Sequence, residues 1–421
     1  MRRVFKFGGA LLKDARGMQQ MTSIIAKYQH EPLVVVVSAI GKTTNALEKL
    51  LFLAQQKRQT ALEESFLSLK KIHFQLAEEL PLRNRKPLNN TLESLFSALW
   101  KTLQKLPANR YRAYDAVVGF GELFSGSIAE HRLQAAGISV KHVDARQLLM
   151  TDENFTRAGI QWDFTEKIIA SRLLPVLDKG YIILTEGFIA AGAKGHPTTL
   201  GREGSDFSAA VLAYGIRARE VCIWKNVPGL MNGDPKVFPD AVKLPHVSYN
   251  EAIELAFYGA SVIHPKTIQP LRKMNIPLKV CAFDDPDTSP TQIDASENND
   301  ADIPKIILKQ NQTLLSISSR DLSFMAENNL KTVFSAFSRH KTHINLMQNS
   351  AVSFSVCFDQ NREKLQAVIN ALQDEFVLKY NEGLQLLTLR HDKGAWFEKL
   401  TKNKTVFIRQ QNRTTIQVLM R

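Results

Sequence analysis

The sequence predicts an α/β protein: a mainly parallel sheet sandwiched by helices, followed by a smaller region with the βαββαβ order of ferredoxin-like folds. Three observations predict it. From Val4 to about Asp284, short β-branched runs alternate with helical stretches, the pattern of a parallel sheet covered by helices. A polar, prolyl and acidic stretch, Asp284 to Ile303, then breaks the alternation with almost nothing apolar to bury. Beyond it, strands and helices follow in the order βαββα.

The opening MRRVFKFGG reads as a first strand running into a glycine turn; it lacks the apolar stretch and cleavage site of a secretory signal. Leu33 to Val37, Ala116 to Val118, Tyr181 to Leu184 and Glu220 to Trp224 are β-branched runs without alternation, as expected where both sheet faces are buried. Ala46 to Arg112, rich in Leu, Lys, Glu and Gln at helical spacing, reads as two or more surface helices. The polar stretch places the main boundary: a first domain over 1–285, a linker over 286–310 and a second region over 311–421. In that region the predicted order is strand Thr313 to Ile317, helix Asn329 to His340, strands His343 to Met347 and Val352 to Phe358, and helix Arg362 to Asp374. A strand at Phe376 to Tyr380 completes a unit of about 312–381. An abbreviated second unit, about 382–421, holds strand Leu384 to Leu389, a short helix near Ala395 to Lys402, and strands Thr405 to Arg409 and Thr414 to Leu419.

Composition excludes several classes. The chain is 44% hydrophobic and 23% charged, and no apolar run approaches the ~20 residues that span a bilayer, so no membrane partner is expected. Cys222, Cys281 and Cys357 lie far apart with no CxxC or Cys/His spacing; they read as reduced core thiols of a cytoplasmic protein, and no metal-ligand set is expected. The net charge of +13 suits either nucleic acid or small anionic substrates. The basic residues are scattered, and the densest cluster, LRNRKP at Leu82 to Pro87, has no interleaved aromatics for base stacking. Small anions are the better fit.

Three segments carry chemistry, each placed beside a predicted strand end or helix start, where open α/β sheets bind ligands. Lys6-Phe7-Gly8-Gly9 combines a lysine with two glycines that let the backbone approach a polyphosphate, although any strand-to-helix turn can carry Gly-Gly. Ser38-Ala39-Ile40-Gly41-Lys42-Thr43-Thr44 resembles the end of a P-loop but lacks its first glycine; what remains is hydroxyls suited to a carboxylate or phosphate. Thr198-Thr199-Leu200-Gly201-Arg202-Glu203-Gly204-Ser205-Asp206 precedes an apolar helix, Phe207 to Tyr214, where free N–H groups favour an anion. An N-cap accounts for Ser205 or Asp206, but not for the Thr-Thr-Leu-Gly-Arg before them.

With Glu122 in GFGELFSG, these segments make the chain resemble the aspartate kinases of the amino-acid kinase superfamily. The motifs are KFGG, VVVVSAIGKTTNAL, GELFS, DARQ, TEGFIA, TTLGREGSD, IWKNVPGLMNGDP and SYNEAIELAFYGASVIHPKT, in family order across residues 1–285. The resemblance implies an amino-acid kinase fold and ATP-dependent phosphorylation of the L-aspartate side chain, the first step toward lysine, threonine and methionine, with ATP and Mg²⁺ as cofactors. Lys6 and Asp206 would be catalytic. Ser38, Glu122, Arg202, Ser205 and Thr199 would bind aspartate, with Arg202 on a carboxylate and Glu122 on the ammonium. Lys6, Gly8, Gly9, Lys225, Asn226, Asp234, Lys236 and Lys266 would hold ATP. The region over 311–421 resembles ACT sensing domains, which implies a homodimer and an inhibitory site for lysine or threonine at Asn345, Met347, Gln348, Asn349 and Ser350.

Four positions depart from the family pattern: Ala10 replaces a hydroxyl, Asn226 an acid, Met231 a tyrosine and Ser261 a lysine that Lys266 would replace in function. These departures leave two alternatives: a catalytically weak amino-acid sensor built on the ACT region, and a kinase of another amino acid. None of the ten histidines is expected to serve the site.

Overall fold

A computed structural model describes residues 1–260, 263–321 and 323–421; Ser261 lies outside the described residues. The chain segregates into two units. One comprises Met1–Leu230, Lys243–Ile253 and Ser261–Glu297; the other, Met231–Val242, Glu254–Ala260 and Asn298–Arg421.

The strands of the first unit are β1 (Arg3–Phe7), β2 (Leu33–Val37), β3 (Val140–His142), β4 (Met150–Thr151), β5 (Ile182–Glu186), β6 (Ile189–Gly192), β7 (Pro197–Thr199), β8 (Glu220–Lys225), β9 (His246–Ser248), β10 (Leu278–Ala282) and β11 (Thr291–Asp294). Eight form one sheet in the order β3-β5-β2-β1-β8-β10-β11-β9, and β4, β6 and β7 form a small second sheet. In the large sheet the pairing is parallel except between β10 and β11. Every residue of β2 is buried, which is why LVVVV shows no alternation.

The helices are α1 (Ala15–Ala26), α2 (Thr43–Gln55), α3 (Gln59–Glu79), α4 (Lys86–Gln104), α5 (Arg110–Val118), α6 (Phe120–Ala135), α7 (Trp162–Arg172), α8 (Leu174–Asp178), α9 (Gly204–Gly215), α10 (Tyr249–Tyr258) and α11 (Pro265–Lys273). Leu47, Leu69, Leu88, Leu92, Phe96 and Phe124 from α2, α3, α4 and α6 join the core beside β1 and β2.

The predicted strands at Leu33, Tyr181 and Glu220 form as β2, β5 and β8. Ala116 to Val118 does not: it is the end of α5. The Asn109 side chain caps that helix, accepting the N–H groups of Tyr111 and Arg112 at 2.9 and 3.2 Å. Ala113, Val117 and Val118 are buried at helical spacing, and a three-residue apolar run cannot outweigh a capped, packed helix. Thr291–Asp294, within the stretch read as linker, is strand β11; its Ile293 is fully buried.

The second unit contains β12 (Lys305–Ser319), α12 (Glu327–Arg339), β13 (Ile344–Asn349), β14 (Ser353–Asp359), α13 (Arg362–Leu372), β15 (Phe376–Arg390), α14 (Ala395–Thr401), β16 (Val406–Gln411) and β17 (Thr415–Met420). Its antiparallel sheet runs β13-β14-β12-β15-β17-β16. Val333, Phe337, Val368 and Leu372 of α12 and α13 pack on Leu315, Ile317, Val356 and Phe358. The two strands expected at Phe376 and Leu384 are one continuous β15. Its pairing with β12 shifts register between Lys309 and Leu314, where Asn311 and Gly383 have φ of 52° and 71°. A bulge thus absorbs the turn-like Asn-Glu-Gly.

Candidate active site

The strand order assembles the site. β1 lies between β2 and β8, with Phe7 paired to Val37 on one side and to Trp224 on the other. Their carboxyl ends bring Lys6, Ser38 and Lys225 together although they lie far apart in sequence. A cavity of about 840 Å³ opens there, lined by these three and by Glu122, Arg202, Ser205 and Asp206.

Two turns shape its floor. Gly9 must be glycine because an added Cβ would lie 1.8 Å from the Ala39 carbonyl oxygen. The Gly9 carbonyl accepts the Gly41 N–H at 2.8 Å, tying the first turn to the Ser38–Thr44 segment. A Cβ on Gly8 would lie 3.8 Å from Lys6 Nζ, so the bare backbone beside the ammonium is open to a ligand. Ser38 is held through its carbonyl, which accepts the Ser125 hydroxyl at 2.7 Å.

Lys6 Nζ lies 2.6 Å from Asp206 Oδ1, and Lys225 Nζ lies 3.7 Å from Asp206 Oδ2. Asp206 stands in the first turn of α9 and is buried. Burial by itself would raise its carboxyl, but the charges and hydrogen bonds of the two lysines outweigh that and hold it below the usual carboxylate range. Two lysines around one carboxylate leave this end of the cavity cationic, as an incoming polyphosphate requires.

Glu122, in the first turn of α6, is buried, and its Oε2 has no hydrogen-bond partner. Burial pushes the carboxyl up to about 8, against hydrogen bonds from the backbone of Glu122 and Ala39. Arg202 is exposed at the cavity rim, in a loop where Gly201 and Glu203 have φ of 78° and 52°.

Thr199 is placed differently. It is fully buried and does not line the cavity; its hydroxyl donates to Asp115 Oδ1 at 2.7 Å and its N–H to Oδ2 at 3.0 Å. Lys266 is also outside: its ammonium donates to the Leu200 carbonyl at 3.2 Å, lies 4.5 Å from the Phe207 ring centroid, and lines a separate cavity of about 390 Å³ with Trp162 and Tyr214. His264 caps α11, accepting the Lys266 N–H at 3.1 Å. Asn226 is exposed next to Lys225.

Asp234 and Lys236 belong to the second unit, in an exposed turn where Asp234 Oδ1 accepts the Lys236 N–H at 2.9 Å. Asn345 anchors the start of β13: it donates to Gln312 at 2.8 Å and Asp359 at 2.9 Å, and accepts from Lys309 at 2.8 Å. Met347, Gln348, Asn349 and Ser350 are exposed.

Thr44, one of the hydroxyls singled out in the sequence, lines the cavity too; Tyr114, Arg157 and Phe188 also line it and were missed in the sequence. Phe188, at φ 68° after Gly187, had one available signal, a glycine ending a buried strand. Arg157 had none, since a lone arginine in a polar turn looks like any solvated charge. Among the described residues no cluster of His, Cys, Asp and Glu is arranged to hold a metal. Asp206, the buried acid at the cationic end, is already paired with Lys6 and Lys225.

Residues 1–282 match the amino acid kinase family, and the chain belongs to that family. Within it, the chain groups with the aspartokinases. It is 30% identical to lysine-sensitive aspartokinase 3 of Escherichia coli, covering 92% of this chain and 86% of that protein. It is 31% identical to the chloroplastic aspartokinase 3 of Arabidopsis thaliana, over 92% of this chain and 70% of that one. The structure of E. coli aspartokinase III with lysine and aspartate (T-state) superposes with a TM-score of 0.84 at 28% identity, covering 99% and 95% of the two chains. That with aspartate and ADP (R-state) gives 0.78 at 27% identity, covering 100% and 96%.

Proposed function

We propose that this chain transfers the γ-phosphoryl group of ATP to the side-chain carboxylate of L-aspartate, giving ADP and 4-phospho-L-aspartate. A carboxylate oxygen attacks the γ-phosphorus as the bond to the bridging β,γ-oxygen breaks. The carboxylate is already ionised at neutral pH, so no general base is needed, and catalysis reduces to in-line positioning and neutralisation of charge. The observation that carries the reading is Lys6 and Lys225 gathered on buried Asp206 beside Gly8 and Gly9.

Lys6 neutralises the transferring group, and Asp206 holds Lys6 in place. Glu122 receives the aspartate ammonium, Arg202 pairs with a carboxylate, and Ser38 and Ser205 hydrogen-bond the substrate. Lys225 and Asn226 contact the nucleotide; Asp234 and Lys236 are assigned to it on the motif. Mg²⁺, arriving on the nucleotide, offsets phosphate charge. The E. coli complexes with aspartate and ADP and with lysine support both the substrates and lysine as the regulator.

We assign catalysis to a kinase domain over 1–285 and regulation to an ACT region over 311–421, joined by 286–310. The ACT region senses lysine at Asn345 and Met347 to Ser350 and joins two chains as a homodimer.

Purified protein with Mg-ATP and aspartate, glutamate or acetylglutamate, trapped with hydroxylamine, tests the reaction. Acyl phosphate from aspartate alone, lost in Lys6→Ala, is the expected result. No product from folded protein would sink it in favour of an amino-acid sensor. A flat activity curve in excess lysine would remove the regulatory assignment.

A further inference from the structure

On α6, Glu122, Gly126 and Glu130 are spaced at successive i, i+4 positions and therefore share one face of the helix. The middle position has no side chain, and its place is taken from outside the helix. A Cβ added to Gly126 would lie 2.6 Å from Glu186 Oε1 and 2.9 Å from His142 Nε2. Glu186, fully buried at the end of β5, sits in that slot. His142 Nε2 meets its Oε1 at 2.6 Å, and the Ala145 N–H donates to its Oε2 at 2.9 Å. The other imidazole nitrogen reaches Glu130 Oε2 at 3.2 Å.

The row of three carboxylates thus has one imidazole set against two of its members. His142 lies between Glu186 and Glu130, so its charge serves that end of the row, while Glu122 keeps a buried oxygen with no hydrogen-bond partner.

We propose that Glu186, clamped by His142 in the slot at Gly126, is a positioning residue for the substrate-ammonium site: it adds to burial in keeping a proton on Glu122 while the site is empty. When the ammonium of aspartate arrives, the Glu122 proton leaves to solvent and the freed carboxylate accepts an N–H of the substrate. This inference rests on the assignment of Glu122 to the ammonium.

The surrounding charges agree. Burial lowers His142, but Glu130 and Glu186 outweigh it and raise it to about 10, so the imidazolium persists between them. The charge of Glu186 adds to the effect of burial on Glu122. From α5, Tyr114 is neutral and donates to Glu48 of α2 at 2.7 Å. Lys6 of β1 and Lys225 of β8 are paired with Asp206 of α9, and Arg202 is exposed at the rim. Arg146, which donates to Asp144 through Nε and Nη2, also feels the charge of Glu186, and Glu186 is the charge that acts on Glu122.

Calorimetric titration of the full-length protein with aspartate in the presence of ADP, in buffers of differing ionisation enthalpy, reads the proton directly. The wild type is expected to release close to one proton per aspartate at neutral pH. Glu186→Gln is expected to release fewer, with the pH profile of release displaced downward and aspartate bound severalfold tighter at neutral pH. Glu130→Gln, on a half-buried residue that tolerates the change, moves the profile the same way by less and serves if Glu186→Gln does not fold. Zero release by the wild type, or wild-type profiles in folded variants, overturns the inference. Glu122→Gln separates the two readings: unchanged aspartate affinity means the ammonium assignment itself fails. Weakened affinity, with Glu186→Gln and Glu130→Gln tracking the wild type, means only the role of Glu186 fails.

Discussion

The Lys6 ammonium and the Asp206 carboxylate meet at 2.6 Å with side chains only 10% and 4% exposed, so each is the other's means of staying charged inside the protein. Asp206→Asn keeps the volume and strands the Lys6 charge. Because breaking a buried pair leaves its partner uncompensated, stability is expected to fall by about 3–5 kcal/mol and kcat by roughly 10²–10³-fold. Urea unfolding and the hydroxylamine assay measure the two. The lysines hold Asp206 below its unfolded value of about 4, so its contribution is complete above that pH and disappears as pH falls through the folded value. The asparagine variant should therefore lose stability less steeply in acid than the wild type.

Asp115 is the joint behind the cavity wall. Buried on α5, it accepts the N–H groups of Thr156 and Thr199 and the Thr199 hydroxyl, and Thr156 and Arg157 line the cavity. Asp115→Asn turns an amide NH₂ toward N–H donors, at a cost of about 1–3 kcal/mol. Steady-state kinetics should show KM for aspartate rising more than kcat falls. Burial raises this carboxyl to about 6 despite its hydrogen bonds. The folded state therefore binds more protons between about 4 and 6, and stability gains from this group as pH falls through that window. The variant loses that gain.

Gly9→Ala places a methyl 1.8 Å from the Ala39 carbonyl oxygen, a contact that only a backbone shift relieves. The Gly9–Gly41 hydrogen bond would break with it. Activity should fall below detection and the melting temperature should drop, whereas Gly137→Ala, strained by its φ of 78° but with open space at its Cβ, should lower the melting temperature slightly and leave catalysis unchanged. Wild-type turnover in Gly9→Ala would contradict the geometry.

His73 is fully buried, its Nδ1 2.9 Å from the Leu69 carbonyl oxygen and its ring against Phe96 and Phe124. Burial lowers it to about 4, against the backbone hydrogen bond. Its unfolded value is about 6.5, so between those values the unfolded state binds more protons and stability declines as pH falls. Replacing His73 with leucine should remove that part of the acid sensitivity in thermal melts recorded from pH about 7 to about 4, while introducing no new charge.

Residue order alone sufficed for β2, β5 and β8, because a β-branched run buried on both faces has no solvent side and needs no partner to be recognised. It also pointed to Lys6 and Ser38, because sheets of this class bind ligands at strand ends, whereas Glu122 and Lys225 were expected only from the resemblance. Ala116 to Val118 was misread because three apolar residues fit a strand or a helix equally, and the Asn109 cap decided between them. Phe376–Arg390 was divided because Asn-Glu-Gly looks like a turn unless a neighbouring strand bulges to match it.

Which hydroxyl faces substrate and which is used up inside was a matter for the folded chain alone. Thr199 resembles a substrate ligand until Asp115 is found beside it, and Lys266 a nucleotide ligand until it reaches Leu200. Glu186 carried no chemical signal because its partners, His142 and the gap at Gly126, come from other elements. The physical reason is common to all three. Local order sets what a residue can donate or accept, but the strand order β3-β5-β2-β1-β8 sets which partner consumes it, and burial then sets the charge it keeps.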